Sequence, residues 1–358
     1  MKTYNVGIIG ATGMVGQRFI TLLENHPWFK VTLLAASSRS AGKTYGDLMA
    51  SRWVMAKPMP EAVKPLVIMD AVADVDKIAA AVDFVFCAVD MPKAEIKALE
   101  ERYAKAECPV ISNNSANRHT PDVPMIIPEI NPEHAEVIEA QRARLGTKRG
   151  FIAVKSNCSI QSYVPALHPL TGFGVSKVLA CTYQAISGAG KTFETWPEMV
   201  DNVIPFIGGE EEKSEQEPLK VWGKIVDGTI VDAVSPLITT QCIRVPASDG
   251  HMAAVFASFD KKPSIDEIKA IWRDYKGEAQ RLELPSAPKQ FLHYFEEDNR
   301  PQTRLDRDLE NAMAISVGRL RPDTHYDVKF VSLSHNTVRG AAGGGVLMAE
   351  LLCAKGYI

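Results

Sequence analysis

Long apolar runs are missing from this chain: no stretch approaches the roughly 20 residues that cross a bilayer, and Met1-Lys2-Thr3-Tyr4 leads into a strand-like segment without a signal-peptide core or small-residue cleavage site. A basic excess is also missing. Forty Lys and Arg against 43 Asp and Glu leave a formal charge of −3, which argues against a nucleic-acid or anionic-membrane partner. The six cysteines contain no CxxC pair and no Cys/His grouping at zinc spacing, so neither a disulfide framework nor a metal site is indicated. Repeats and low-complexity tracts are absent too. These absences together lead to the expectation of a cytoplasmic, reduced protein.

What is present is enough apolar content for two cores: 358 residues, 46% hydrophobic. From Asn5 to about Gly150, short apolar runs (Val6–Ile9, Val31–Ala36, Phe84–Ala88, Pro109–Ile111) alternate with helical periodicity at Gly13–Glu24 and Pro92–Tyr103. That alternation predicts an α/β domain with a parallel sheet, residues 1–150, of Rossmann type. The polar, basic stretch Gln141–Gly150 reads as its exit. Beyond it, longer alternating segments (Lys177–Ile186, Thr239–Val245, Met252–Phe259, Ala314–Leu320, Tyr326–Leu333) predict an α+β domain over 151–336 with a mainly antiparallel sheet. Its outer face suits a subunit interface. Helices are expected near Pro197–Val203, Glu210–Val221 and Ser264–Tyr275. A last helix, within 337–358 and opening on Ala341-Ala342-Gly343-Gly344-Gly345, is expected to return to the first domain and approach a cofactor there.

Gly10-Ala11-Thr12-Gly13-Met14-Val15-Gly16 sits between the first predicted strand and helix. In that context glycines permit a tight turn and let backbone N–H groups meet a pyrophosphate at the helix N-terminus. The second strand ends in Ser37-Ser38-Arg39-Ser40, where an NAD site usually carries an acidic residue for the ribose 2′-hydroxyl. Hydroxyls and an arginine suit a 2′-phosphate instead, so NADP is the expected cofactor.

Cys158 stands among small polar residues in Ser156-Asn157-Cys158-Ser159, between an apolar run (Phe151–Val154) and another (Ile160–Leu170). A strand running into a helix would put the thiol at a helix N-terminus, where the dipole favours thiolate. The nucleophile calls for a base, and His251, opening a strand after Asp249-Gly250, is the candidate. Arg118 follows a small polar segment, and Glu210 and Lys213 share one face of a predicted helix; each also fits an ordinary surface charge.

Taken together, these motifs resemble aspartate-semialdehyde dehydrogenases of the branch found in archaea, fungi and some bacteria. Further motifs carry the likeness: Ser38–Lys43, Gln184-Ala185-Ile186-Ser187-Gly188-Ala189-Gly190, Arg244 with His251, and Asn336-Thr337-Val338-Arg339-Gly340-Ala341-Ala342-Gly343. The resemblance implies Cys158 as acyl-thioester nucleophile, His251 as acid/base and Gln184 as orienter of the acyl group. It also implies Arg244 on the substrate α-carboxylate, Glu210 on its ammonium, and Arg118 and Lys213 on phosphate. Gly10, Thr12, Gly13, Met14, Val15, Ser38, Arg39 and Ser40 would hold the nucleotide, with Ser187, Gly188 and Asn336 at the nicotinamide. No metal is implied, and the chain would work as a homodimer or homotetramer on a small-molecule substrate. Malonyl-CoA reductase shares the C-terminal run, and N-acetylglutamyl-phosphate reductase shares the chemistry. Glu210 and Lys213 argue against the first, since they suit an amino-acid phosphate better than a coenzyme A thioester, and the acetylated amine of the second would not need Glu210. A non-catalytic NADP sensor on the same fold is the alternative of a different kind.

Overall fold

A computed structural model describes residues 3–358; Met1 and Lys2, the first residues of the expected 1–150 domain, lie outside the described residues. Six strands form the first sheet: β1 (Tyr4–Ile9), β2 (Phe29–Ala36), β3 (Met69–Asp70), β4 (Phe84–Cys87), β5 (Val110–Ser112) and β6 (Ile152–Val154). All are parallel, in the order β3-β2-β1-β4-β5-β6. Helices cover both faces of such a sheet, which is why its strands read as near-continuous apolar runs. The order reverses between β1 and β4, opening a crevice at their C-terminal ends. Because β6 pairs with β5, the strand just past residue 150 still adds to the first sheet.

The second sheet contains β7 (Val175–Gln184), and the hairpin of β8 (Lys224–Val226) and β9 (Thr229–Val231) stands apart from it. Its other strands are β10 (Leu237–Arg244), β11 (His251–Phe259), β12 (Leu292–Phe295), β13 (Ile315–Pro322) and β14 (Val328–Ser334), ordered β10-β7-β11-β14-β13-β12. The central pairings are antiparallel, as expected, and the two edge pairings are parallel. Side chains along β11 alternate between buried and half-buried, so one sheet face packs on the core and the other is left open.

Several expectations need correction. The apolar run after Cys158 is not one helix but a 3-10 turn (Ile160–Ser162), one α turn (Val164–Leu167) and a second 3-10 stretch (His168–Phe173). Pro165 and Pro169 lack the N–H groups a continuous helix needs. The helix expected at Pro197–Val203 shrinks to the turn Pro197–Met199. The last segment does return to the first domain: after an irregular turn at Val338–Ala342, the helix Gly343–Ala354 is buried through Leu352. Its glycines, however, make room for protein and not for cofactor, Gly345 lying against Phe19 and Gly344 against Arg339 and Lys155.

Candidate functional site

Two neighbouring cavities hold most of the anticipated residues. The first, about 630 Å³, lies at the C-terminal ends of β1 to β4 and is lined by Gly10, Thr12, Gly13, Ser38 and Arg39, together with Asp70. Gly10 has φ +90°, and a Cβ there would overlap the Ala88 carbonyl oxygen, so the turn is closed to any other residue. Gly13 caps the helix Met14–Leu23, whose first turn has no acidic residue and no side-chain cap. Its free N–H groups suit an anion. Ser38 and Arg39 are exposed at the rim, and among the described residues Arg39 has no carboxylate partner. The cavity therefore fits a dinucleotide with a 2′-phosphate. Ser40 departs from expectation: it is buried, its N–H closing the turn on the Ser37 carbonyl, and does not line the cavity. Asp70 was missed because β3 is too short to show a strand pattern.

From this cavity the helix Met14–Leu23 leads to the second. Met14 lines a small pocket with Ser187, and Val15 reaches the cavity of about 250 Å³ that holds Cys158. Arg118, Asn157, Ser187, Gly188, Glu210, Lys213, Asn336 and Gly340 line it as well. Asn336 ties its parts together, accepting the Gly250 N–H at 2.8 Å and donating to Ser187 Oγ at 2.9 Å. Gly340 closes over the nucleophile, where a Cβ would come within 2.9 Å of Cys158 Cβ.

His251 and Arg244 lie just behind this lining. A Cβ on Gly188 would stand 3.0 Å from Arg244 Nη1 and from His251 Nε2. His251 Nε2 is 3.5 Å from Cys158 Sγ, and its Nδ1 accepts the Ala185 N–H at 3.1 Å. A neutral imidazole with an occupied Nδ1 carries its proton on Nε2. In this tautomer His251 presents an N–H donor to the sulfur. Burial, reinforced by Arg244, holds its pKa down to about 3.

Glu210, on the helix Glu210–Val221, is bonded to Lys213 at 2.8 Å and to Asn157 Nδ2 at 3.0 Å. Burial would raise its pKa, but Lys213 and these donors outweigh that and keep the carboxylate charged. Gln184, at the end of β7, is buried and donates weakly to Glu210 at 3.4 Å. Arg118 is held from three sides, by the Lys155 carbonyl, the Asn113 carbonyl and Glu217 at 2.9 Å. Nothing in the sequence singled out Glu217, since its helical run of Glu and Lys reads as a solvated face. The Cys158 thiol differs from expectation: burial raises its pKa, and Glu210 adds to the rise. A 3-10 turn of three residues supplies little of the dipole that a long helix would.

Comparison with known proteins agrees with this geometry. Residues 5–138 match the profile of the semialdehyde dehydrogenase NAD-binding domain, and residues 167–339 that of the semialdehyde dehydrogenase dimerisation domain. The aspartate-semialdehyde dehydrogenase of Archaeoglobus fulgidus is 43% identical over 99% of both chains, and that of Schizosaccharomyces pombe 42% over the whole of both. The crystal structure of the Candida albicans enzyme with NADP superimposes with a TM-score of 0.89 at 38% identity, covering 100% of each chain. With its Rossmann sheet, its second sheet and a cysteine cavity between them, the chain belongs to the aspartate-semialdehyde dehydrogenase family.

Proposed function

We propose that this protein catalyses the reversible, NADP-dependent interconversion of L-aspartate 4-semialdehyde plus phosphate with 4-phospho-L-aspartate, the reductive direction feeding lysine, methionine and threonine synthesis. The observation that carries the reading is Cys158 facing His251 Nε2 at 3.5 Å, in a cavity that also presents Arg118, Glu210 and Lys213. The A. fulgidus and C. albicans relatives bear the same activity in their names, and the latter was solved with NADP.

In this reading Cys158 adds as thiolate to the aldehyde carbon, and the carbonyl oxygen becomes an oxyanion within reach of the His251 Nε2–H donor. NADP, when bound, supplies the hydride acceptor or donor. The acyl group then rests on sulfur as a thioester, which phosphate cleaves, returning the thiolate. Arg244 takes the substrate α-carboxylate with its planar fork, and Glu210 takes the α-ammonium. Gln184, whose amide lies by Glu210, orients the acyl chain. Lys213 and Arg118 receive phosphate. Ser187, Gly188 and Asn336 border the nicotinamide end.

Residues 1–150, completed by 337–358, would form the cofactor domain and 151–336 the catalytic and dimerisation domain, with the first sheet running on to Val154. The half-buried outer face of the second sheet supports a dimer or tetramer, which sedimentation of the purified protein distinguishes. No helix among the described residues is long and apolar enough to cross a membrane, which accords with a cytoplasmic setting. The decisive assay is NADP reduction by purified protein with aspartate semialdehyde and phosphate, beside malonyl-CoA and N-acetylglutamyl phosphate in the reductive direction. Turnover of either rival alone, or full activity in Cys158→Ala, overturns the reading.

A further inference from the structure

Lys155 lies at the point where β6 gives way to the Cys158 loop, and it is only 2% exposed. A lysine there interrupts the apolar run Phe151–Val154 just before the loop. Its Nζ donates to one acceptor, the Ser156 carbonyl, at 2.5 Å, although an ammonium has three hydrogens to place. The charged and titratable groups facing it are Cys158, Arg118, Glu217 and Arg339. Glu217, the carboxylate among them, is not free to neutralise it. Glu217 is taken by Arg118 and by the Asn157 N–H, and Glu129 is engaged by Arg339 on both oxygens. The side chain is clamped from above by the start of the C-terminal helix, which follows the turn that covers the nucleophile: a Cβ on Gly344 would stand 3.2 Å from Lys155 Cε, as one on Gly340 would press on Cys158.

A buried cation without a committed counter-ion is costly unless an anion forms beside it. The cysteine nucleophile has the converse need. His251 is Nε2-protonated and stays neutral, so it gives the sulfur a hydrogen bond but no positive charge. Arg118 is already paired with Glu217. We infer that Lys155 is a positioning residue for the reaction, its buried ammonium serving as the counter-charge of the Cys158 thiolate, both before attack and when phosphate expels the thiolate from the thioester. The inference rests on Cys158 being the nucleophile. Of the cations that draw the thiol pKa back down, Lys155 is the strongest, ahead of Arg118 and Arg244, while Glu210 opposes them. Burial in turn brings Lys155 down to about 7, so its charge is present at and below neutrality and fades above it.

The test reads the thiol directly and needs no substrate. Purified full-length protein is alkylated with iodoacetamide across a pH series, and modification of Cys158 is followed by peptide mass spectrometry in wild type, Lys155→Met and Lys155→Arg. The Met variant should alkylate about tenfold more slowly at neutral pH, its midpoint raised by about one unit, and the Arg variant should recover most of the loss. A folded Met variant with the wild-type midpoint overturns the inference. Should Lys155→Met not fold, the reciprocal measurement decides. The ε-carbon resonance of Lys155 is titrated in wild type and in Cys158→Ser, and an unchanged midpoint overturns the inference, since coupling between two sites acts equally on both. Turnover with aspartate semialdehyde reports separately on the proposed reaction, so the two can fail independently.

Discussion

Arg118 and Glu217, far apart in sequence, form a buried ion pair at 2.9 Å, and the other oxygen of Glu217 accepts the backbone N–H of Asn157 at 2.5 Å. One carboxylate thus joins the loop that carries Arg118, the helix that carries Glu210 and Lys213, and the residue preceding the nucleophile. Removing one partner of a buried pair leaves the other charge uncompensated, at a cost of roughly 3–5 kcal/mol. Glu217→Ala should therefore lower the urea midpoint by that equivalent and raise the KM for phosphate. A variant as stable as its parent contradicts this account.

Gly188 stands between the cavity and the two side chains behind it. Gly188→Ala would push Arg244 and His251 apart, and displacements of about 1 Å at reacting groups cost up to about 100-fold in rate. We expect kcat/KM to fall by at least about tenfold with little change in melting temperature, because Gly188 is itself exposed and outside the packed core. Unchanged kinetics would show that both side chains can yield without consequence.

Arg39 should decide between the two nicotinamide cofactors. A charge-assisted hydrogen bond to a 2′-phosphate contributes about 1.5–3 kcal/mol. Arg39→Ala is accordingly expected to weaken NADP binding at least about tenfold while leaving NAD binding unaltered, as read by fluorescence titration. Equal losses for both would move the 2′-phosphate contact elsewhere, with Ser38 the next candidate.

Stability should fall in mild acid. Burial holds His251 at about 3 and His168 and His335 at about 4, all below the usual imidazole value near 6.5. Between those limits the unfolded chain binds more protons than the folded one, so the folding free energy these groups protect is present above about pH 6.5 and is lost as pH falls towards 3. Denaturant midpoints measured from pH 7 to 4 should decline steadily, and His168→Gln, which lies outside the catalytic cavity, should flatten part of the decline. A flat profile in wild type would refute it.

Much of the molecule could be read from sequence because its signals were local. The glycine spacing before the helix Met14–Leu23, the alternation along β11 and the small polar setting of Cys158 each report their own surroundings. The short strands were harder. β3 has two residues and too little length for a period, and the β8–β9 hairpin announced itself only by Asp227-Gly228, both at positive φ. Residues whose role depends on a distant partner gave no sign at all. Glu217 looks like a solvated helix charge until Arg118 is placed against it, and Lys155 looks like the polar end of a strand until the C-terminal helix covers it. The tautomer of His251 was equally hidden, since the Ala185 N–H that fixes it lies 66 positions away.

The covering of Cys158 by Gly340 also bears on how the protein comes into being. The first sheet can begin to form once β1 to β6 have left the ribosome, yet part of its core and the wall over the thiol arrive with residues 338–354. A growing chain therefore carries Cys158 uncovered from the moment it emerges until residues 338–354 follow, near the end of synthesis. Until those residues arrive the site around Cys158 is incomplete, and its uncovered thiol is open to oxidation.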